Sequence, residues 1–282
     1  MFKCKKFNYA VFGNPINHSQ SPKIHNFFSK NIGIPYVYHA VNVELSDFFS
    51  TMIKFFKECG DGANITAPFK KEAYLFANKL TYRAKIARSV NTLKKIDNSH
   101  ILGDNTDGIG LLYDLIRLKF IKKTYSVLVL GAGGVVSGII FQLLSFGCSV
   151  FIFNRTFENA EKLVLQFCKY GKIKNFTINY KKKIHFDLII NARSKCVQLE
   201  NYFIPAHIFS PRTYFYDINY HVNGTTSFID WCIKNKIRFF SHGIGMLVFQ
   251  AAHSCLLWHK IFPETNSIIS DFNKNMLIYR KI

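Results

Sequence analysis

The stretch Tyr125-Ser-Val-Leu-Val-Leu130-Gly131-Ala132-Gly133-Gly134-Val135-Val136 decides the fold. Its first six residues are short, apolar and rich in β-branching, which suits a central strand of a parallel sheet. The glycine turn follows at once, and 135–146 then reads as a helix. Further on, Ser149-Val-Phe-Ile-Phe153 is a second strand, and 158–168 a second helix. The result is a βαβα unit with its glycines in the first strand–helix turn. Such a turn lets backbone N–H groups approach a pyrophosphate at a helix N-terminus. Gly131 and Gly133 are the first two glycines of G-x-G-x-x-G, while Val136 stands in the third place. An ordinary tight turn is the alternative. Gly131, Ala132, Gly133, Gly134 and Val135 are candidate cofactor contacts.

The end of the second strand bears on the cofactor. An acidic residue about 20 positions after the glycines binds the ribose hydroxyls of NAD. Asn154-Arg155-Thr156 stands there instead. A guanidinium and a hydroxyl suit a 2′-phosphate, which a carboxylate would repel. NADP is therefore expected, although Arg155 also reads as a plain surface charge.

The same strand–helix alternation extends outward. Asp187-Leu-Ile-Ile-Asn191 and Tyr214-Phe-Tyr-Asp-Ile218 are buried strands, and Gly243 opens a long apolar helix to Trp258. Upstream, Tyr9-Ala-Val-Phe-Gly13 is a strand. A helix over 22–31 has Ser21 as its cap and Pro22 at its first position. A strand over 37–43, a helix over 47–59, a break at Gly60-Asp61-Gly62, a strand over 63–66 and a helix over 108–118 complete the pattern. The fold class is α/β with mostly parallel sheets.

Composition sets bounds on function. With 282 residues, 49% hydrophobic and 19% charged, the chain builds one large or two ordinary domains rather than disorder. The 29 Phe and 14 Tyr read as core filling. The net charge of +20 is spread over short runs such as Lys70-Lys71, Lys94-Lys95, Lys122-Lys123 and Lys181-Lys182-Lys183. A solvated lysine-rich surface explains it without a nucleic-acid partner. The 7 scattered cysteines contain no C-x-x-C pair, which argues against a disulfide framework or zinc site and for a reducing, cytoplasmic setting. No apolar run approaches a membrane span.

Three segments are unusually polar for turns between apolar strands. Asn14-Pro-Ile-Asn-His-Ser-Gln-Ser-Pro22 offers the hydroxyls of Ser19 and Ser21 beside a helix start, a place for a carboxylate. In Gly62-Ala-Asn-Ile-Thr-Ala-Pro-Phe-Lys70, Asn64 and Thr66 share one face by alternation, and Lys70 follows the proline. Val90-Asn91-Thr92 and Gly103-Asp-Asn-Thr-Asp-Gly108 form the third, with Asp107 placed as a helix cap.

Taken in order, these segments resemble the shikimate dehydrogenase family. The resemblance continues through the glycine loop, Asn154-Arg155-Thr156, Tyr216-Asp217 and Gly243-Ile-Gly-Met-Leu-Val-Phe-Gln250. It implies two α/β domains with a cleft between them: a substrate domain over 1–106 and 243–282, with a parallel-rich sheet, and a Rossmann-like NADP domain over 107–242. It implies NADPH-dependent reduction of 3-dehydroshikimate, with Lys70 and Asp107 as the catalytic pair. Ser19 and Ser21 bind the substrate carboxylate, and Thr66, Asn91 and Gln250 contact the ring hydroxyls or carboxylate, with Asn64 and Tyr220 nearby. Ile218 and Gly243 join the cofactor set. A monomer or homodimer without a membrane partner is expected.

Departures from the family pattern cluster on the cofactor side. Val135-Val136-Ser137 replaces an Ala/small/Arg continuation, Asn159 stands for a second Arg, and Asn191-Ala192-Arg193 replaces Asn-Ala-Thr. His242 stands where Asp is usual, and Tyr82 lacks a nearby acid. A quinate/shikimate dehydrogenase using NAD is the close alternative. A nucleic-acid binder on this scaffold and a catalytically silent relative are the distant ones.

Overall fold

The computed structural model describes residues 7–177, 184–193, 204–221 and 224–274. Cys4, Cys196 and the lysines at 5–6 and 181–183 lie outside them. The chain divides into two compact units. One comprises residues up to Gly110 with Leu247–Ile268, the other Leu111–Met246 with residues from Ile269 onward.

In chain order the first unit contains β1 (Phe7–Gly13), α1 (Ser21–Asn31), β2 (Tyr36–Asn42), α2 (Phe48–Glu58), β3 (Gly60–Ile65) and α3 (Lys70–Phe76). It continues with β4 (Lys79–Leu80), α4 (Tyr82–Ala87), β5 (Thr92–Lys95), β6 (Ile101–Asp104) and the start of α5 (Asp107–Arg117). Its sheet has the order β2-β1-β3-β5-β6-β4. β1 pairs in parallel with β2 and β3, and β4 with β6, whereas β5 is antiparallel to both β3 and β6. Alternation along β1 sends Tyr9 and Val11 to one core with Tyr36, Tyr38 and Trp258. Ala10 and Phe12 face the other, with Phe48, Met52, Phe55 and Phe69.

Three local expectations are corrected here. Gly60-Asp61-Gly62 is not a break before a strand but the first half of β3. A Cβ at Gly62 would overlap the indole of Trp258, whose Nε1 donates to Leu93 O at 3.0 Å, so the glycine makes room for that ring. Ser21 does not cap α1, because it is the helix's first residue and Gln20 is the cap, without a side-chain bond. The polar stretches around Asn91 and Asp104 are not loops alone, since they run into the β5–β6 pair, with Thr92 opposite Asp104.

The second unit follows with β7 (Ser126–Leu130), α6 (Gly134–Phe146), β8 (Ser149–Phe153), α7 (Phe157–Phe167), β9 (Ile173–Asn175), β10 (Leu188–Asn191), β11 (Tyr214–Asp217), α8 (Ser227–Lys234) and β12 (Phe239–His242). α9 (Ile244–His259) leads back to the first unit, and α10 (Asn266–Lys274) is the last described helix. The sheet order is β12-β11-β10-β7-β8-β9, with every pairing parallel. Counted from β7 this is 3-2-1-4-5-6 read backwards, the Rossmann order, with the switch between β7 and β10. Leu128, Leu130, Ile189 and Phe215 fill one face against Phe228 and Trp231 of α8.

Register aligns the strand ends. His242, Asp217, Asn191, Leu130 and Phe153 lie abreast across five neighbouring strands. The residues that follow them are Gly243, Ile218, Ala192, Gly131 and Asn154. Ligands of open α/β sheets bind at this carboxyl edge.

Candidate active site

In the first unit, Lys70 Nζ donates to Asp107 Oδ2 at 2.6 Å, with side-chain exposures of 15% and 7%. Lys70 opens α3 after the turn closed by Phe69 N to Thr66 O. Among the described residues Asp107 is the one hydrogen-bond partner of Lys70 Nζ, which leaves donors of the ammonium for a ligand. Asp107 is not a cap. It is the first residue of α5, its N–H donates to Asn105 Oδ1 at 3.1 Å, and its carboxylate makes other contacts.

Asn91 is the hub that fixes Asp107. Its Nδ2 donates to Asp107 Oδ1 at 2.9 Å and to Gln250 Oε1 at 3.3 Å. Its Oδ1 accepts from Thr106 N at 2.8 Å and from the hydroxyls of Thr92 and Thr106 at 2.9 and 3.1 Å. Asn64 sits beside it, its Nδ2 donating to Asn91 O, Thr92 Oγ1 and Ser254 Oγ, while its Oδ1 accepts from the Tyr38 hydroxyl at 2.7 Å. Burial pushes the Tyr38 hydroxyl well above its ordinary range, while its bond with Ser21 acts the other way, so Tyr38 is a neutral donor. Ser19 Oγ in turn accepts from Ser21 N at 3.3 Å. Thr66 follows β3 directly, and its N–H donates to Phe12 O. Ser19, Ser21, Asn64, Thr66, Asn91 and Gln250 thus all lie in one unit with Lys70 and Asp107.

An ion pair with a buried carboxylate braces this group. Arg83 Nε and Nη2 donate to Asp104 Oδ1 and Oδ2 at 2.7 and 2.5 Å, and Thr81 Oγ1 donates to the same carboxylate. Burial would raise the Asp104 carboxyl, but the Arg83 bonds outweigh it and hold the group below its usual range. Asp104 immediately precedes Asn105, so the pair fixes the turn that presents Asp107.

The second unit holds the expected cofactor set at its carboxyl edge. Gly131 has φ +114° and comes so close to the Ala192 carbonyl that a Cβ would lie 2.9 Å from it, so only glycine fits. Gly133 and Gly134 are exposed, and a Cβ at either would meet no protein atom within 4 Å. That open space at the start of α6 suits a phosphate approaching backbone N–H groups. Asn154 Nδ2 donates to Thr156 O at 2.8 Å, folding the turn that leaves Arg155 and Thr156 exposed. No carboxylate occupies the end of β8. The Ile218 carbonyl fills the place a Gly243 side chain would need. His242 Nδ1 accepts from Ile244 N at 3.4 Å, the role an aspartate would serve at a helix start. Burial first, with Arg117 adding to it, lowers the His242 ring to about 4, so it is neutral and able to accept. Tyr220 also belongs to this unit.

Sequence reasoning missed Tyr38, Thr92, Thr106 and Ser254. Ser254 had a signal, since it follows Gln250 by one helical turn on α9 and so shares its face. Tyr38 had none, because its partner Asn64 lies two strands away in the sheet order β2-β1-β3.

Comparison with known proteins follows the same division. A family described as shikimate dehydrogenase substrate binding domain matches residues 11–93, and one described as shikimate / quinate 5-dehydrogenase matches residues 115–199. A shikimate dehydrogenase (NADP(+)) of Buchnera aphidicola subsp. Acyrthosiphon pisum is 62% identical over 274 residues, 97% of this chain and 100% of that protein. Its counterpart from Buchnera aphidicola subsp. Schizaphis graminum is 59% identical over 273 residues, 97% of this chain and 99% of that one. Among solved structures, a shikimate dehydrogenase from Aquifex aeolicus aligns with a TM-score of 0.83 at 28% identity, covering 97% of this chain and 100% of that chain. One from Thermus thermophilus, in complex with NADP(H) and shikimate, gives a TM-score of 0.81 at 26% identity over 95% and 99%.

Proposed function

The chain belongs to the shikimate dehydrogenase family, and from that premise we infer that Lys70 and Asp107 are its catalytic pair. It is an oxidoreductase that reversibly reduces 3-dehydroshikimate to shikimate with NADPH, a step in chorismate and aromatic amino-acid biosynthesis. NAD as the physiological partner is not favoured.

The observation that carries the assignment is the 2.6 Å contact of Lys70 with an Asp107 that Asn91 already holds. When bound, NADPH supplies the hydride to the ketone carbon. Negative charge then grows on the ketone oxygen, and an ammonium aimed at it stabilises the charge and delivers a proton. Asp107 keeps Lys70 Nζ in one orientation. Asn91 and Gln250 offer amide groups to the ring hydroxyls, with Asn64 beside them, and Thr66 lies on the same side of the sheet end. Ser19 and Ser21 take the substrate carboxylate, and Tyr220 is assigned to the substrate as well.

Residues 1–106 and 243–282 are assigned to substrate and 107–242 to NADP, and the separate family matches over 11–93 and 115–199 support a division between the two. Gly131, Ala132, Gly133, Gly134 and Val135 receive the pyrophosphate, Asn154, Arg155 and Thr156 the 2′-phosphate end, and Ile218 and Gly243 the nicotinamide end. The open space at Gly133 and Gly134 and the exposed Arg155 support that order. Free thiols at Cys148, Cys168, Cys232 and Cys255 support a reducing, cytoplasmic setting. No helix among the described residues is long and apolar enough to cross a membrane.

The test is NADPH formation by the purified protein from shikimate, run beside NAD and beside quinate. Turnover confined to shikimate with NADP is expected. Comparable turnover with NAD would refute the reading of Asn154-Arg155-Thr156, and comparable turnover with quinate would refute the narrow substrate choice.

A further inference from the structure

The guanidinium carbon of Arg193 lies 5.9 Å from the centroid of the Phe153 ring. That contact is long-range within the sheet. Arg193 follows the end of β10, Phe153 ends β8, and β7 runs between them. Two strand spacings are about 10 Å, so the side chain must run across the end of β7, beside the glycine turn. The backbone agrees with this course. A Cβ on Gly131 would sit 3.3 Å from Arg193 N, so the chain at Arg193 already lies against that turn. Two bonds hold it there without using the side chain, Arg193 N to Asn191 Oδ1 at 3.5 Å and Asn219 Nδ2 to Arg193 O at 3.0 Å.

The destination of the guanidinium identifies its ligand. In a sheet of this order the pyrophosphate sits at the start of the first helix, and the adenosine ribose at the end of the second strand. Here the second strand is β8, and Phe153 is its last residue. Phe153 directly precedes Asn154-Arg155-Thr156, where Arg155 is exposed. A guanidinium held over an aromatic face by cation–π attraction has a planar N–H edge that matches phosphate oxygens.

We propose that Arg193 is a second cation for the adenosine 2′-phosphate of NADP, reaching from β10 over Phe153 to meet Arg155 from the other side. The proposal rests on the NADP reading above and adds to it a specificity residue from a strand outside the βαβ unit that supplies the rest of the site. A bidentate partner from a different strand makes discrimination against NAD depend on two arginines. Asn159 carries no charge and does not contribute one.

The test is equilibrium binding of NADP+, NAD+ and 2′,5′-ADP, followed by calorimetry or by quenching of intrinsic fluorescence, for the wild-type protein and for Arg193→Met and Arg193→Lys. Arg193→Met keeps length and apolar contact but removes the charge. It should weaken NADP+ and 2′,5′-ADP by about tenfold or more, the loss of one charge-assisted bond, and leave NAD+ unchanged. Arg193→Lys keeps the charge without the fork and should fall between. Equal weakening of NADP+ and NAD+ would overturn the proposal by moving Arg193 to the pyrophosphate or to a structural role. Unchanged NADP+ affinity in both variants would overturn it as well, with the wild-type preference for NADP+ left standing. A wild-type protein without that preference would overturn the NADP reading itself, and this proposal with it. Should the methionine variant lose its native circular dichroism, the lysine variant carries the same comparison.

Discussion

The residues around Lys70 in the first unit and those around the glycine loop in the second are built on opposite plans. Around Lys70 the side chains satisfy one another, with Asn91 alone bonding to Asp107, Gln250, Thr92 and Thr106. Around the glycine loop the protein leaves space, with Gly133 and Gly134 facing no protein atom. The difference follows from the ligands. A small polyhydroxylated ring offers little apolar area, so discrimination must come from polar groups held in place beforehand. A dinucleotide brings phosphates that bind backbone N–H groups and cations, and these need access more than mutual support.

Breaking the crowded half should have the largest effect. Asp107→Asn leaves Lys70 without its ionic partner, and steady-state kinetics should show kcat down by roughly 10²- to 10³-fold with NADP+ binding unaltered. A loss confined to KM would mean that Asp107 only binds substrate.

Acid tests how far burial, rather than charge, holds each half. Burial is the first cause lowering His25 to about 3, with the His259 charge second. It is likewise the first cause lowering His242 and His253 to about 4. In the unfolded chain these rings protonate near 6.5. Below pH 6.5 the unfolded state therefore binds more protons, and stability declines until the folded rings protonate in turn, near 4 for His242 and His253 and near 3 for His25. Above 6.5 they contribute no slope. Each ring should cost on the order of 1–2 kcal/mol by pH 5, visible as a lower urea midpoint at pH 5 than at pH 7. An unchanged midpoint would show that these rings are not buried as neutral groups.

A smaller loss comes from the hub. Asn91→Ala strands buried partners and should lower stability by about 1–3 kcal/mol, read from denaturant unfolding, and raise KM for shikimate. Smallest of all, Asn154→Asp puts a carboxylate at the end of β8. It should weaken NADP+ by about tenfold, or 1.4 kcal/mol, with no loss for NAD+. Equal losses for both cofactors would mean that Asn154 matters only through its bond to Thr156 O.

The same contrast explains what could be read from the sequence. The second unit was legible because β7, β8, β10 and β11 are continuous apolar runs, and fully buried parallel strands must be so. The first unit was read less well. β5 and β6 carry Thr92, Lys94 and Asp104 among few apolar residues, and their antiparallel pairing leaves no mark in local periodicity. Gly60 and Gly62 look like a break because the rings that need their space, Phe55 and Trp258, are distant in sequence or hidden in a helix. Lys70, Asp107 and Asn91 were found only through their segments taken together, since each alone reads as surface or cap. Asp107 reads as a cap because it stands beside the helix start, but it is the first helical residue and its N–H is met by Asn105, a one-residue difference that no spacing rule distinguishes.

The most direct test of the central assignment is Lys70→Ala in shikimate oxidation with NADP+, measured together with shikimate binding. If Lys70 handles the developing charge on the oxygen, kcat should fall by about 10²- to 10⁴-fold while shikimate still binds to the Asn64, Asn91 and Gln250 network. Turnover near the wild-type level would contradict that role and remove the Lys70–Asp107 pair from the chemistry.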